Sequence, residues 1–456
     1  MPFPCRWLTL LILVTPLFLL SSCSRQAAAQ IPELRIQSGQ DIKLLTTTDM
    51  HYLSPGLTDN GPASSRFLAA GDGKQLAYSD EILDALEYDI GIQRPGAVII
   101  SGDLTNNGEK ASHQDLAKHL QSIEQHTGTR VYVIPGNHDV QNPWARRFAG
   151  DQQFKADSVS AKSFRSIYGD FGYDEAILSD KDSLSYLAAP SDDLWLLMLD
   201  SSQSQNNKKL GHPQLDGQLS ASTLKWIDEC GRLAADSGAH IVAVMHHSLL
   251  DHSDALQEGF TINDNKQVIE TFVRNGISTV FTGHIHFQDI RKYGEDDASI
   301  YDIADSALSV YPHQYGVLNY SPAGQTLDYS TERLSVEQSA KASGSTDFNL
   351  LHFKTFSEEA FLKLSAGRSY TRLSQDSSYT SKYTDTQLQA MADAVGRLNE
   401  IYFAGTADTD NAAVMASEGF RLWQDAPSSG LRSYVLRMAK LEPKDNHHLQ
   451  VKLSGR

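Results

Sequence analysis

Five short polar motifs, each directly after a strongly apolar run, contain residue types that could bind metal ions. They are TTTDMHY, SGDLTNNG, PGNHD, MHH and TGHIH, with the metal-competent residues Asp49, His51, Asp103, Asn106, Asn107, Asn137, His138, Asp139, His246, His247, His284 and His286. A single such motif is ordinary turn material, because Asn and Asp bond their own main chain. Five of them predict one shared metal cluster, since loops at the carboxyl ends of strands in an α/β sheet converge on one crevice.

The segments between the motifs predict the elements that would position them. Apolar runs that indicate strands lie at 42–48, 97–101, 131–135, 194–199, 241–245 and 278–281. Amphipathic segments that indicate helices lie at 79–91, 109–126, 219–235 and 264–275. Short, doubly buried strands joined by helices predict an α/β fold with layered sheets. The less regular stretch 141–193 is expected to run over the surface.

The last third of the chain has a different pattern, in which helical segments alternate with Ser, Gly and Thr clusters. One of these segments has an apolar stripe, which predicts a packing face and consists of Leu388, Met391, Ala392, Val395 and Leu398. We therefore predict a main α/β domain over 41–325 and a helical C-terminal domain over 326–456.

The ordered set D-x-H, G-D-x-x-N, G-N-H-D, H-H and G-H-x-H resembles the calcineurin-like metallophosphoesterase family over about residues 42–323. The phrases GDGKQLAYSDEI, ISGDLTNNGEK and GNHDVQNPWARRF, with the helical tail, are similar to bacterial lipoprotein members described as class III cyclic-nucleotide phosphodiesterases. The resemblance implies a β-sandwich flanked by helices and a dedicated C-terminal domain. It also implies hydrolysis of a phosphodiester, with cyclic AMP or cyclic GMP as the expected substrate.

The family pattern implies two metal ions that share Asp103. The first would bind Asp49, His51, Asp103 and His286, and the second would bind Asp103, Asn137, His246 and His284. Oxygen and imidazole ligands without thiolates suit Fe, Mn or Zn, and we favour Mn and Fe. Two cations at about 3.5–4 Å lower the pKa of a bridging water, and the resulting hydroxide would attack phosphorus in line.

The resemblance further implies that His138 faces the substrate and either protonates the leaving oxygen or stabilises its charge. Protein phosphatases of this superfamily orient that histidine with an Asp three residues after the bridging Asp, where this chain has Asn106. Asn106 is our predicted partner of His138, and Asp139 is an alternative that the sequence leaves open. The departure weakens the phosphoprotein-phosphatase interpretation.

Substrate contacts are less sharply predicted than metal ligands. We expect them from Asn137, His138, His247 and Arg146, with His247 beside the first histidine of its pair as a ligand neighbour or pocket wall. For Arg146 and Arg147, a surface salt bridge is the alternative to phosphate binding. His252 and His313 lie near motif loops, where a pocket role and a solvent-exposed position remain equally open.

The N-terminus resembles that of an exported bacterial lipoprotein. The apolar run Trp7–Leu20 follows Arg6 and ends in LLSSC, which predicts a signal peptide over 1–22, lipidation of Cys23 and a polar tether over 23–40. An unmodified cysteine after an ordinary signal peptide is the alternative. The protein would then be anchored to the outer face of the bacterial cell membrane through its acyl chains.

Composition and charge narrow the expected partners. A formal net charge of −17 argues against a nucleic-acid polymer and is compatible with a small phosphoester bound through cations. Two other functions remain open, namely a phosphomonoesterase of the 5′-nucleotidase type and a lipoprotein binding module that retains the fold without catalysis. The sequence does not predict an oligomeric state.

Overall fold

The computed structural model describes Met1 and residues 35–254, 257–440 and 444–453. The cleavage site of the predicted signal peptide and Cys23 lie outside these residues. The strands are β1 (Ile42–Thr47), β2 (Ala97–Ile100), β3 (Arg130–Val133), β4 (Arg146–Ala149), β5 (Gln152–Lys155), β6 (Leu178–Ser179), β7 (Tyr186–Ala188), β8 (Leu194–Leu199), β9 (His240–Met245), β10 (Thr279–Thr282), β11 (Asp289–Tyr293), β12 (Ile300–Ala304), β13 (Gln314–Ser321), β14 (Thr326–Arg333) and β15 (His448–Lys452).

The helices follow the amphipathic segments of the sequence. They are α1 (Pro62–Ala70), α2 (Ser79–Gln93), α3 (Lys110–Thr127), α4 (Ala161–Ile167), α5 (Asn207–Leu210), α6 (Ala221–Ser237), α7 (Asn265–Arg274), α8 (Val336–Ala342), α9 (Phe348–Leu351), α10 (Phe353–Gln375), α11 (Ser377–Thr380), α12 (Asp385–Ala404), α13 (Ala407–Met415), α14 (Glu418–Gln424) and α15 (Gly430–Met438). The four helices predicted from periodicity correspond to α2, α3, α6 and α7.

Two mixed sheets form a sandwich. The first has the order β15-β14-β13-β1-β2-β3, and the second has the order β11-β12-β10-β9-β8-β7-β6. Strands β1, β2 and β3 are mutually parallel, as are β8, β9, β10 and β12. Parallel strands joined by helices bring their carboxyl ends to one rim of each sheet. The predicted α/β fold with layered sheets is confirmed.

Strand β8 shows how the layers bury their side chains. Leu194, Leu196 and Met198 belong to the core between the two sheets, whereas Trp195 and Leu197 belong to the core under α6 and α7. Alternate residues of a strand point to opposite faces, so a strand buried on both faces is apolar throughout. This explains why LWLLML has no polar position.

The stretch 141–193 is not a surface excursion, and that prediction is wrong. It contains the β4–β5 hairpin, helix α4 and strands β6 and β7, of which the last two extend the second sheet. Phe164, Tyr168, Phe171 and Tyr173 are all buried in the main hydrophobic core, where the first two pack on His113 of α3. The first three follow the helical spacing i, i+4, i+7, but helix α4 ends at Ile167, and Tyr173 falls outside that period.

The predicted helical C-terminal region is confirmed for residues 336–438, but its first and last segments are strands. Thr326–Arg333 pairs with β13, and His448–Lys452 pairs with β14, so both belong to the first sheet. Alternation in TLDYSTER places Leu327 and Tyr329 in the core between the sheets, which overrides the helical pattern expected from residue 326. Among the described residues, no helix combines the length and apolar character needed to cross a bilayer.

The helical region has its own core and docks on the sandwich. The predicted apolar stripe of α12 is buried together with Trp423 of α14 and Val435 of α15. Phe361 of α10 packs on Val310 and Tyr311 in the loop before β13. These contacts place α10 over the loops that follow the carboxyl ends of the strands.

Candidate metal centre

The seven predicted metal ligands all follow strands that end at the same rim of the sandwich. They are Asp49 and His51 after β1, Asp103 after β2, Asn137 after β3, His246 after β9, and His284 and His286 after β10. Both sheets contribute, so the donors converge from two sides. Six of the seven residues are buried, and His286 is half-buried.

The first group of donors surrounds one carboxylate oxygen. Oδ1 of Asp49 lies 3.1 Å from Nε2 of His286 and 3.5 Å from Nε2 of His51. The Nε2 atoms of His51 and His286 are 3.1 Å apart. Oδ2 of Asp103 lies 3.7 Å from Nε2 of His51. One ligand atom from each of these four residues lies within 4.8 Å of the others, which is the spacing of a metal-binding group.

The second group adjoins the first through Asp103. Its Oδ2 atom lies 3.5 Å from Nε2 of His246, and that nitrogen lies 3.2 Å from Oδ1 of Asn137. Ligand atoms of Asp103, His246 and His284 lie within 4.8 Å of one another. A single carboxylate oxygen therefore faces both groups, which is the arrangement needed to bridge two cations.

The arrangement of the donors suits bound cations better than it suits hydrogen bonds among the donors themselves. Oδ1 of Asp49 is buried without a hydrogen-bond partner, although two imidazole nitrogens approach it. An unsatisfied buried carboxylate is strongly unfavourable, and a cation would compensate it. Imidazole and oxygen donors without a thiolate suit Mn, Fe or Zn.

The backbone at these donors is strained. Five of them have a positive φ, at Asp49 (52°), His51 (45°), Asp103 (47°), His284 (69°) and His286 (68°). Each such residue costs about 1–3 kcal/mol and persists only where the surrounding structure fixes it. The strain is concentrated at the rim because successive donors must turn inward from the ends of their strands.

Two glycines let the motif loops approach closely. A Cβ atom on Gly136 would lie 2.2 Å from the backbone nitrogen of Asp103, and one on Gly283 would lie 1.9 Å from Oγ1 of Thr48. Neither site has room for any side chain. The Gly of G-N-H-D and the Gly of G-H-x-H are thus needed to bring neighbouring strand ends together.

Hydrogen bonds from the protein fix which imidazole nitrogen faces the centre. Nδ1 of His246 lies 2.9 Å from the carbonyl of Ser101, which leaves Nε2 for the cluster. Nε2 of His284 lies 3.0 Å from the carbonyl of Gly259, which leaves Nδ1. Such partners orient ligand rings and raise their basicity.

The electrostatics of the group favour ionised carboxylates. Burial would raise the pKa of Asp103, but the charge of His246 and then of His138 lowers it well below its usual value. In His246, burial lowers the pKa, and Asp103 outweighs this and raises it to about 9. Burial and then the charge of His246 lower the pKa of His284 to about 3.

His138 lies at the edge of the metal groups and is half-buried. Its ring centroid is 5.3 Å from that of His51, and its backbone nitrogen donates to Oδ1 of Asp103. Nδ1 lies 2.9 Å from the carbonyl of Asn106 and 3.1 Å from Oδ1 of Asn107. Because both partners accept, Nδ1 donates, and Nε2 is left to interact with a substrate.

The predicted role of Asn106 is corrected by this geometry. Only its backbone carbonyl contacts His138, and its side-chain Nδ2 is buried without a hydrogen-bond partner. The side chain that orients His138 is that of the next residue, Asn107, for which the motif predicted no such role. The loop turns between the two, so the sequence offset used in protein phosphatases does not apply.

Asp139 does not orient His138 either. Its carboxylate accepts hydrogen bonds from the backbone nitrogens of Leu104, Thr105 and Gly136, at 2.8–3.0 Å. It therefore ties the loop after β2 to the loop after β3. This contact holds the two motifs that carry Asp103 and Asn137 in register.

Two predicted substrate contacts are directed elsewhere. His247 is fully buried, with Nδ1 2.8 Å from Oγ of Ser201 and Nε2 3.1 Å from the carbonyl of Leu215. It packs behind His284 and cannot reach a substrate. Arg146 donates to the carbonyls of Pro143 and Ala145 in the turn before β4.

His252 occupies a second cluster of histidine and carboxylates, which we call the ion cluster. It comprises His252, Asp289, Asp302, Arg291 and Lys444. Nδ1 of His252 lies 2.8 Å from Asp289, and Nε2 lies 3.0 Å from Asp302. Burial lowers the pKa of His252, but Asp302 and then Asp289 raise it to about 9. His252 is therefore neither a pocket residue of the metal centre nor exposed.

His313 is also buried. Its Nδ1 atom lies 2.8 Å from the carbonyl of Leu308, and its ring packs on Phe353 of α10. It supports the contact between the sandwich and the helical region. Neither position left open for His313 by the sequence describes this role.

Two protein families match the chain. The calcineurin-like phosphoesterase family matches residues 42–288, which is more than half of the chain. The C-terminal domain of cyclic nucleotide phosphodiesterase matches residues 335–445, a range that coincides with the helical region. No curated protein matches the chain by sequence.

Solved structures resemble the sandwich only distantly. A dimetal phosphatase from Danio rerio is 14% identical, with a TM-score of 0.46, and the alignment covers 63% of this chain and 95% of that one. GAP50, the anchor in the inner membrane complex of Plasmodium, is 10% identical, with a TM-score of 0.36 and coverages of 65% and 85%.

Proposed function

The chain belongs to the calcineurin-like phosphoesterase family, and from this premise we propose that it hydrolyses 3′,5′-cyclic nucleotides such as cyclic AMP and cyclic GMP. It is a metal-dependent phosphoesterase with a dimetal site, and its substrates are small phosphate esters. The identity of the ester is the proposal.

The protein residues divide the work of hydrolysis. Bound cations would supply Lewis acidity at the phosphoryl oxygens and a water that ionises near neutral pH. Asp103 presents one oxygen to both groups of donors and so keeps them together. Asn137 would contribute an uncharged amide oxygen, which would leave the cation bound by the second group more electrophilic. His138, whose Nδ1 is held by Asn106 and Asn107, offers Nε2 to the leaving oxygen.

The observation that carries the choice of a nucleotide is Trp144. Its side chain is 46% exposed, and its indole centroid lies 6.5 Å from that of His138. The ring of His212 is also near the indole, with a centroid distance of 6.4 Å. An exposed indole beside the site of chemistry offers a base a stacking surface worth about 1–3 kcal/mol. The match of residues 335–445 to the C-terminal domain of cyclic nucleotide phosphodiesterase supports the same choice.

A substrate panel tests the proposal. Purified protein with its metals quantified would be assayed with cyclic AMP, cyclic GMP, AMP and bis-nitrophenyl phosphate. We expect the highest kcat/KM for a cyclic nucleotide, and Trp144→Ala should raise KM for the cyclic nucleotide while leaving KM for bis-nitrophenyl phosphate unchanged. A preference for AMP would instead favour the phosphomonoesterase of the 5′-nucleotidase type. Asp103→Asn serves as the inactive control.

Metal identity and location complete the proposal. Imidazole and oxygen donors suit Mn, Fe or Zn, of which we propose Mn or Fe, and reconstitution of metal-free protein with each of the three metals in turn would rank them. We propose that the protein acts at the outer face of the bacterial cell membrane, attached through Cys23. A labelled fatty acid should be incorporated into the protein and not into Cys23→Ala, and absence of the label from the unsubstituted protein would contradict the anchor.

A further inference from the structure

Lys74 lies in the loop after α1 and is half-buried. In the part of the chain that the structure describes, no carboxylate forms an ion pair with it. The carboxylates whose charge acts most on it are, from the strongest, Asp103, Asp72 and Asp49, and two of these belong to the metal centre. Asp72 is already paired with Arg368. The ammonium group is therefore within electrostatic range of the metal centre.

The backbone around Lys74 is fixed to the segment behind the first metal ligand. Lys74 forms an antiparallel bridge with Val310, and the nitrogen of Gln75 donates to the carbonyl of Ser309 at 2.7 Å. Oγ of Ser309 in turn donates to the carbonyl of Asp49 at 2.8 Å. The position of Lys74 is thus coupled to the position of Asp49 through two hydrogen bonds.

Helix α10 of the helical region holds the same loop from outside. Arg368 donates to the carbonyls of Ala70 and Gly71 and to Oδ1 of Asp72 at 3.0–3.3 Å. Gly73 has a φ of 84°, and a Cβ atom there would lie 3.2 Å from the ring of Phe361. The loop is therefore enclosed between the metal centre and α10.

We propose that Lys74 binds the non-bridging oxygens of the substrate phosphate, and that the helical C-terminal region positions it through Arg368 and Phe361. A partly desolvated ammonium without an ion pair is unfavourable, and an anion beside it removes that penalty. Lysine is a common phosphate ligand and acts as a compact charge. The negative charge on phosphoryl oxygens increases toward the transition state, so the contact would strengthen there.

The inference rests on the proposed function only in requiring a phosphoester substrate. It assigns the helical region a part in substrate binding that is separate from the metal ligands. It also explains why Lys74 lies in GDGKQLAYSDEI, a phrase without any metal ligand. The signal in the sequence was a lysine directly after the glycines Gly71 and Gly73, which by itself does not distinguish a loop from a site.

The test uses bis-nitrophenyl phosphate as substrate and inorganic phosphate as competitive inhibitor. Lys74→Gln should raise KM and the phosphate Ki about 10–100-fold, the range expected for a charged hydrogen bond. Lys74→Arg should recover most of the loss, and Arg368→Ala should shift both constants in the same direction by less. Lys118→Gln, at an exposed lysine on α3, is the matched control and should change neither.

Metal content and thermal unfolding would be measured for each variant, with Lys74→Met as a second neutral substitution. Unchanged KM and Ki in Lys74→Gln, or a loss explained by missing metal, would overturn the phosphate contact. A normal Arg368→Ala would overturn the positioning role of α10. If the unmodified protein hydrolyses bis-nitrophenyl phosphate but no cyclic nucleotide, the proposed substrate fails, and the Lys74 test still stands.

Discussion

The metal centre and the ion cluster use the same residue types but arrange them differently. In the ion cluster, both oxygens of Asp289 accept ion pairs, from Lys444 at 2.6 Å and from Arg291 at 2.6 Å. Oδ2 of Asp302 accepts hydrogen bonds from the backbone nitrogens of Leu249 and Leu250. In the metal centre, Oδ1 of Asp49 has no such partner.

The difference shows what separates a metal site from a structural ion pair. Protein cations already neutralise the carboxylates of the ion cluster, so a metal ion would have to displace them. The backbone differs as well. Five metal-centre residues have a positive φ, whereas φ is negative at His252, Asp289 and Asp302. Strain and missing partners together identify the site that needs a ligand.

The largest predicted effect on turnover is the contrast between Asp→Asn substitutions made in the metal centre and in the ion cluster. Asp103→Asn removes the shared charge of the two metal groups, so kcat/KM for bis-nitrophenyl phosphate should fall by about 10⁴-fold, since Lewis-acid stabilisation contributes several kcal/mol. Asp302→Asn should leave metal content and turnover unchanged. Kinetics with metal quantification would measure both, and equal losses in the two variants would remove the distinction.

A smaller effect is expected at His138. His138→Ala should lower kcat for cyclic AMP by about 10³-fold, because the alkoxide leaving group needs a proton. The loss for bis-nitrophenyl phosphate should be far smaller, since nitrophenolate leaves without one. The ratio of the two losses is the measurement. An equal loss on both substrates would contradict the role of His138 at the leaving oxygen.

The ion cluster should affect stability and not turnover. The pKa of His252 is about 9 in the folded protein and about 6.5 when unfolded, so its contribution is fully present below pH 6.5 and is lost as the pH rises through 9. His252→Gln should therefore lower Tm more at pH 6 than at pH 10, with a destabilisation of about 3 kcal/mol at the lower pH. The exposed His352→Gln is the matched control.

The smallest predicted effect on kcat distinguishes the roles of the adjacent residues Asn106 and Asn107. Asn107→Ala should lower kcat about tenfold, because it removes the side-chain acceptor of His138. Asn106→Ala keeps its backbone carbonyl and should change kcat much less. Steady-state kinetics on cyclic AMP would compare them. A larger loss in Asn106→Ala would restore the role first predicted from the motif.

The strand ends and their donors could be predicted because local patterns determine them. Doubly buried strands such as β8 are apolar throughout, and each is followed at once by polar residues. The strand β14 was missed because its alternation is short and interrupted by Ser and Thr. The aromatic residues of 141–193 were missed because their burial depends on where several turns place them.

The partners of the site could not be predicted for a different reason. Lys74 and Ser309 contact the site only through the fold, and nothing in their local sequence distinguishes them from loop residues. Asn107 lies in a motif, but its contact with His138 is set by the turn of the loop. The ion cluster was equally hidden, because His252 and Asp302 are far apart in the chain. Spacing identifies ligands that share a motif but not the groups that satisfy or orient them.

The adjacency of β14 and β15 makes the helical region removable without cutting the sheet. Ser330 is in register with His448, so the chain leaves and re-enters the sandwich at neighbouring points. A short turn in place of residues 335–445 would convert β14 and β15 into a hairpin. Such an excised protein would retain every metal donor and would isolate what the helices contribute.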